Sequence, residues 1–307
     1  MIGNPREPRA VLGIDAAWTE TQPSGVALAV ETERGWRLDA AEASYGHFIA
    51  RANGVDPGEA RPLGSKPDAA ALLEAARKIC GRRVNLVAVD MPMSRRPIAG
   101  RRFCDDQVSR RYGARGAGTH SPSGERPGKV SDLLRETFEQ LGYGLCTRPP
   151  ARGLIEVYPH PALIEFLEEA RRLPYKAGKI RAYWPDLTVA DDRRAKLRTT
   201  WSRIVGALER RIAGVAAALP SPAPDSLGWR LKAYEDKLDA VVCCAVAIAC
   251  LNGEAKAYGD GDAAIWAPAS DANGEGPPQL YHSIQSQSRK TASPLMSTPV
   301  CLQPLDR

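Results

Sequence analysis

Two apolar runs in this chain each end in an aspartate. VLGIDAAW, residues 11–18, delivers Asp15, and VNLVAVDMP, residues 84–92, delivers Asp90. A third run, GLIEVYPHP at 153–161, holds Glu156 among Leu154, Ile155 and Val157. A fourth, YEDKLDAVVCCAVAIACLNG at 234–253, opens with Glu235, Asp236 and Asp239, and helical spacing turns Asp239 to the same side as the other two. Carboxylates set in such apolar surroundings need a reason. Crowded to about 5 Å, two of them repel by about 3 kcal/mol at an effective dielectric near 20. Hard divalent cations, which take oxygen ligands, relieve that repulsion.

Each group also has a plainer explanation. Asp15 fits an Asx-turn, Asp90 an Asp-x-Pro bend, and Glu156 a solvent-facing sheet edge. Acidic residues favour the first turn of a helix, which accounts for Glu235 and Asp236. It accounts poorly for Asp239, already among core residues. The segment 100–129 gathers Arg101, Arg102, Arg110, Arg111 and Arg115 among glycines, a composition suited to phosphate contacts and equally to a solvated loop.

The elements that must position these groups follow from periodicity. Val11, Leu12 and Ile14 suit a central strand covered on both faces, and GVALAV (25–30) reads as its antiparallel hairpin partner. GWRLDAAEASY (35–45) adds a third strand. After a Gly/Pro-rich loop at 51–67, Asp68 opens a helix with Ala71, Leu72, Ala75, Ala76 and Ile79 on one side. That helix is a crossover, so the strand ending in Asp90 is expected parallel to the first strand, with Asp15 and Asp90 at adjacent carboxyl ends. The segment 100–129 reads as loop, 131–141 as helix, 153–161 as a fifth strand with His160 in a turn, and 162–171 and 191–219 as helices. The helix over 238–251 is apolar nearly all round and must be buried. GDAAIWAP (261–268) reads as a short edge strand, and the Ser/Gln/Pro-rich residues 269–307 as a disordered tail.

This order gives an α/β chain with a mixed five-stranded sheet, three antiparallel strands then two parallel, flanked by helices: the ribonuclease-H-like arrangement. Taken in sequence, VLGIDAAW, the VDMP strand end, RRFCDD, IEVYPHP, EDKLDAVVCCAVA and GDAAIWAP resemble the successive motifs of a family of uncharacterised proteins expected to be ribonuclease-H-like nucleases. The resemblance covers residues 9–268, taken as one domain, and omits the tail. The Asp236-x-x-Asp239-Ala pattern is also similar to the last helix of Holliday-junction resolvases. The resemblance implies two Mg²⁺ or Mn²⁺ ions on Asp15, Asp90, Asp236 and Asp239, with Glu156 as a further ligand, cutting phosphodiester bonds of DNA or RNA. It leaves a second class open, a catalytically weak nucleic-acid-binding or adaptor protein on the same fold. A sugar-kinase-like phosphotransferase needs a glycine in the turn after the first strand, where this chain has Ala16, Ala17 and Trp18.

Composition narrows the rest. With 42 Lys+Arg against 36 Asp+Glu, the net charge of +6 leans only mildly toward polyanions. An aromatic fraction of 6% argues against a large base-stacking surface. Seven cysteines without zinc spacing read as reduced thiols, and no apolar stretch is long enough for a bilayer, so the expected setting is the cytoplasm, away from membranes.

Overall fold

The computed structural model describes residues 7–226 and 228–269; the expected tail lies beyond them from residue 270, as does Cys301. The chain forms β1 (Ala10–Asp15), β2 (Gly25–Thr32), β3 (Gly35–Glu42), α1 (Tyr45–Ala52), α2 (Ala69–Cys80), β4 (Leu86–Val89), α3 (Phe103–Tyr112), α4 (Lys129–Gln140), β5 (Gly153–Val157) and α5 (Pro159–Phe166). A 3₁₀ turn (Ala177–Lys179) leads into α6 (Ile180–Tyr183), then α7 (Ala190–Glu209), β6 (Ile212–Ala213), α8 (Val215–Ala218), α9 (Gly228–Asn252), β7 (Ala255–Gly259) and β8 (Ala264–Pro268).

The strands form one mixed sheet in the order β6-β3-β2-β1-β4-β5-β8-β7. Its centre matches expectation: β1, β2 and β3 are antiparallel, and β4 and β5 run parallel to β1. The sheet has eight strands, however, not five. Two residues of β6 extend one side parallel to β3, and the β8–β7 pair extends the other. The run read as an edge strand is β8, paired on both sides, and β7 is the edge. Half-exposed AKAYG lacks the apolar run that marks a buried strand.

Side-chain alternation divides the core into two layers. Val11, Ala27, Ala29, Leu86, Ala88, Ile155 and Val157 face α5, α7 and α9. Leu12, Ile14, Leu28, Val87, Val89 and Leu154 face α1, α2 and α4. Sandwiched between the sheet and α5 and α7, α9 is buried at every residue from Leu238 to Cys250. Two glycines allow it to lie so close. A Cβ on Gly13 would run into the backbone of Ala240 and Cys244, and one on Gly25 into the carbonyl of Asp236.

Several local readings are corrected. Residues 103–112 form a helix rather than a loop, with Cys104, Val108 and Tyr112 buried at four-residue steps. α1, capped by the Ser44 hydroxyl, fills the stretch between the expected third strand (35–45) and the expected loop (51–67), overlapping the end of each. His160 sits in the first turn of α5, because Pro159 occupies the first helical position. The helix expected over 191–219 breaks after Glu209, and Gly214 takes a left-handed φ of 90° ahead of α8. Among the described residues no helix is long and apolar enough to cross a membrane, and six cysteines are free thiols.

Candidate active site

Parity places the first two carboxylates. Val11, Gly13 and Asp15 share the α9 side of β1, while Leu86, Ala88 and Asp90 share that side of β4. β1 and β4 pair in parallel with Ile14 opposite Val89, and the Asp90 N–H donates to the Ile14 carbonyl at 2.8 Å. Asp15 and Asp90 therefore lie side by side, roughly 5 Å apart across the strand pair. Close packing of α9 on Gly13 and Gly25 brings Asp236 over the same sheet end. Asp15, Asp90 and Asp236 line a cavity of about 920 Å³, walled by Trp18 and Trp229 and edged by Arg61, Arg126 and Lys232.

The carboxylates there hold their protons unusually well. Burial, then the charge of Asp239, pushes Asp15 up to about 6, against an opposing pull from Lys232 and Lys176. Burial and the neighbouring Asp15 hold Asp90 well above the usual carboxylate range. Asp236 is pushed up to about 8 by burial and Asp15, although Lys232 contacts its Oδ1. Its Oδ2 is buried without a partner. Among the described residues no hydrogen bond reaches the carboxylates of Asp15 or Asp90. Carboxyl groups titrating near neutrality can take or give a proton during a reaction.

Asp239 sits deeper, fully buried. It accepts the Tyr175 hydroxyl at 2.8 Å on Oδ1 and the Lys176 ammonium on Oδ2. Glu235 accepts the Ala177 N–H at 2.5 Å and lies 3.3 Å from Lys232 and 3.6 Å from Lys176. Asp239 thus belongs to the cluster but is already occupied.

Glu156 lies elsewhere. Position 156 falls beside Val89, on the face opposite Asp15 and Asp90. There Arg102 grips it with two nitrogens at 2.6 and 2.7 Å, the Met93 N–H donates at 2.8 Å, and Arg102 also binds Asp105 at 2.9 Å. The arginines expected to face phosphate are engaged similarly. Arg101 binds Asp106 and Ser109, and Arg115 binds Glu165 and the carbonyl of Glu169. Arg111 lies over the Tyr112 ring, and Arg110 is exposed. None of these five lines the cavity; from the same stretch of chain His120, Ser121 and Arg126 do.

Lys176, Lys232, Tyr175 and the two tryptophans were not singled out from the sequence. Lys232 was readable in principle, standing four residues before Asp236 on one helix. Lys176 was visible only as one charge in the basic segment YKAGKIRAYW, its partner Asp239 63 residues away.

Among the described residues no three His, Cys, Asp or Glu side chains form a ready metal-binding group. Asp15 and Asp90 do fit a Mg²⁺-like ion, which usually takes one or two carboxylates and completes its shell with water and phosphate oxygens. A two-ion set reaching Asp239 and Glu156 does not fit, since Lys176 and Arg102 hold those groups. No curated protein and no solved structure matches the chain. Residues 13–263 match the family described as Protein of unknown function (DUF429), and the chain belongs to it.

Proposed function

We propose that the protein is a ribonuclease-H-like nuclease, a phosphodiester hydrolase that uses Mg²⁺ or Mn²⁺. One observation supports this above the rest: two carboxylates without a hydrogen-bond donor, Asp15 and Asp90, and the proton-retaining Asp236 share the floor of a cavity edged by cations. The central strand order β3-β2-β1-β4-β5 agrees with that reading, and β6 and the β7–β8 pair extend the arrangement at its sides.

When bound, the ion supplies Lewis-acid stabilisation of phosphoryl oxygens and a more acidic water. Asp15 and Asp90 would hold it. Asp236, pushed up to about 8, can give or take a proton near neutral pH at the cavity it lines. Arg61, Arg126 and Lys232 offer contacts to phosphates, which fix position rather than read sequence. Trp18 and Trp229 offer faces to an unstacked base.

The test is cleavage of end-labelled single- and double-stranded DNA and RNA oligonucleotides in Mg²⁺ and Mn²⁺. Cleavage that Asp15→Asn abolishes is the expected result. Absence of cleavage of every substrate, or cleavage indifferent to Asp15→Asn, contradicts the proposal. A second reading, an adaptor that binds nucleic acid without cutting it, is favoured by Lys232 already lying on Asp236. Tight binding of the same oligonucleotides with no product would select it.

A further inference from the structure

We infer that Lys176 acts as a built-in second cation of this site, so that the protein binds one divalent ion per chain rather than two. The inference rests on the hydrolase reading above and concerns what neutralises Asp239 and Glu235.

The segment 175–177 is clamped to α9 at three consecutive residues. The buried Tyr175 places its hydroxyl on Asp239 at 2.8 Å, and its carbonyl accepts the Trp201 indole N–H at 2.8 Å. Ala177 donates its N–H to Glu235 at 2.5 Å. Lys176, fixed between them, sets its ammonium against Asp239 and 3.6 Å from Glu235. Backbone and ring anchors on both sides hold a single point charge where two carboxylates meet.

Both oxygens of Asp239 therefore already have donors, and a metal ion could take one only by displacing the ammonium or the phenol. Lys232 differs. Its side chain is 54% exposed and lines the cavity, so it is free to exchange Asp236 for a phosphate, whereas the Lys176 side chain is 21% exposed and does not line it.

Charge decides how many ions the cluster accepts. Asp15, Asp90, Glu235 and Asp239 carry four negative charges when ionised, or five when Asp236 also loses its proton, and Lys176 and Lys232 return two. One divalent ion brings the cluster to within a single charge of neutrality. A second would leave it positive and would need oxygens that Lys176 holds. Lys176 is thus a positioning residue: it touches neither metal nor substrate, and it keeps a fixed charge behind the reacting groups.

The test counts ions. Mn²⁺ is titrated into the full chain, with free Mn²⁺ followed by electron paramagnetic resonance and binding heat by calorimetry, for wild type, Lys176→Met and Lys176→Arg. Wild type and Lys176→Arg are expected to bind one ion. Lys176→Met, checked for folding by circular dichroism, is expected to bind two, because Asp239 loses the ammonium that holds its Oδ2. Two ions in wild type would overturn this inference and leave the hydrolase reading intact, a result that does not depend on any variant folding. One ion of unchanged affinity in folded Lys176→Met would also overturn it. No ion in any of the three at millimolar Mn²⁺ would overturn both readings.

Discussion

Asp15 and Glu156 show how differently two buried carboxylates are used. Asp15 has neighbouring negative charge and no donor, so its charge costs stability; Glu156 has three donors from Arg102 and Met93. Asp15→Asn is expected to raise Tm without divalent ions by a few degrees, at about 2–4 °C per kcal/mol for a domain of this size, and to remove Mn²⁺-dependent stabilisation. Glu156→Gln is expected to do the reverse, lowering stability by about 3–5 kcal/mol, as breaking a buried pair does, with Mn²⁺ stabilisation retained. Thermal melts with and without Mn²⁺ check both. A pH dependence follows as well. Folding raises Asp15 to about 6 and Asp236 to about 8 from an ordinary 3.8, so the folded state binds protons more tightly than the unfolded chain. Their contribution is most favourable below pH 4 and is lost as pH rises through 6 and then 8. Metal-free protein is expected to melt at lower temperature at pH 8.5 than at pH 6, and Asp236→Asn to flatten that fall; an unchanged slope in the variant would remove Asp236 from the cluster. The acidic residues were legible because a carboxylate after an apolar run stands out in sequence. Of the cations that answer them, Lys232 stands one turn before Asp236 and is readable, whereas Lys176 lies on a segment distant in sequence from α9.

At the level of elements, α9 sets the geometry because β1 and β2 present glycine to it. Gly13→Ala would force a methyl into the backbone of Ala240 and Cys244. The expected cost is about 3 kcal/mol, the upper end of ordinary overpacking, with an outward shift of α9 that separates Asp236 from Asp15 and weakens Mn²⁺ binding. Chemical denaturation checks the first part and calorimetry the second; a neutral substitution would mean the helix is less tightly seated. β1, β2, β4 and β5 were readable from their apolar runs, and α2 from its Asp68 cap, whose carboxylate accepts the Ala71 N–H at 2.9 Å. α3 was not, because Arg, Asp and Ser fill most of its surface and hide three apolar residues one turn apart. Asp15 ends β1 and Asp90 follows β4 on the α9 side, while Glu156 lies within β5 on the other, and only pairing shows which face each takes.

Across the whole molecule, an eight-stranded sheet buries α9 on one side and α1, α2 and α4 on the other, leaving the cavity at the carboxyl ends of β1 and β4. That is where ligands collect in sheets with parallel crossovers. The net charge of +6 predicts little about location; the structure puts the cations bordering the cavity on Arg61, Arg126 and Lys232 rather than on Arg101, Arg102, Arg110, Arg111 or Arg115. Replacing Arg61 and Arg126 together with alanine is expected to flatten the salt dependence of oligonucleotide binding by about 0.7–0.9 log units per log salt for each phosphate that is no longer neutralised. Fluorescence anisotropy at several salt concentrations checks this, and a slope equal to wild type would move the phosphate path elsewhere. The most direct measurement is anomalous diffraction from crystals soaked in Mn²⁺. One peak is expected in the cavity, liganded by the carboxylates of Asp15 and Asp90, with Lys176 still on Asp239. A cavity that stays empty at millimolar Mn²⁺, or a peak bound to neither Asp15 nor Asp90, would contradict that expectation.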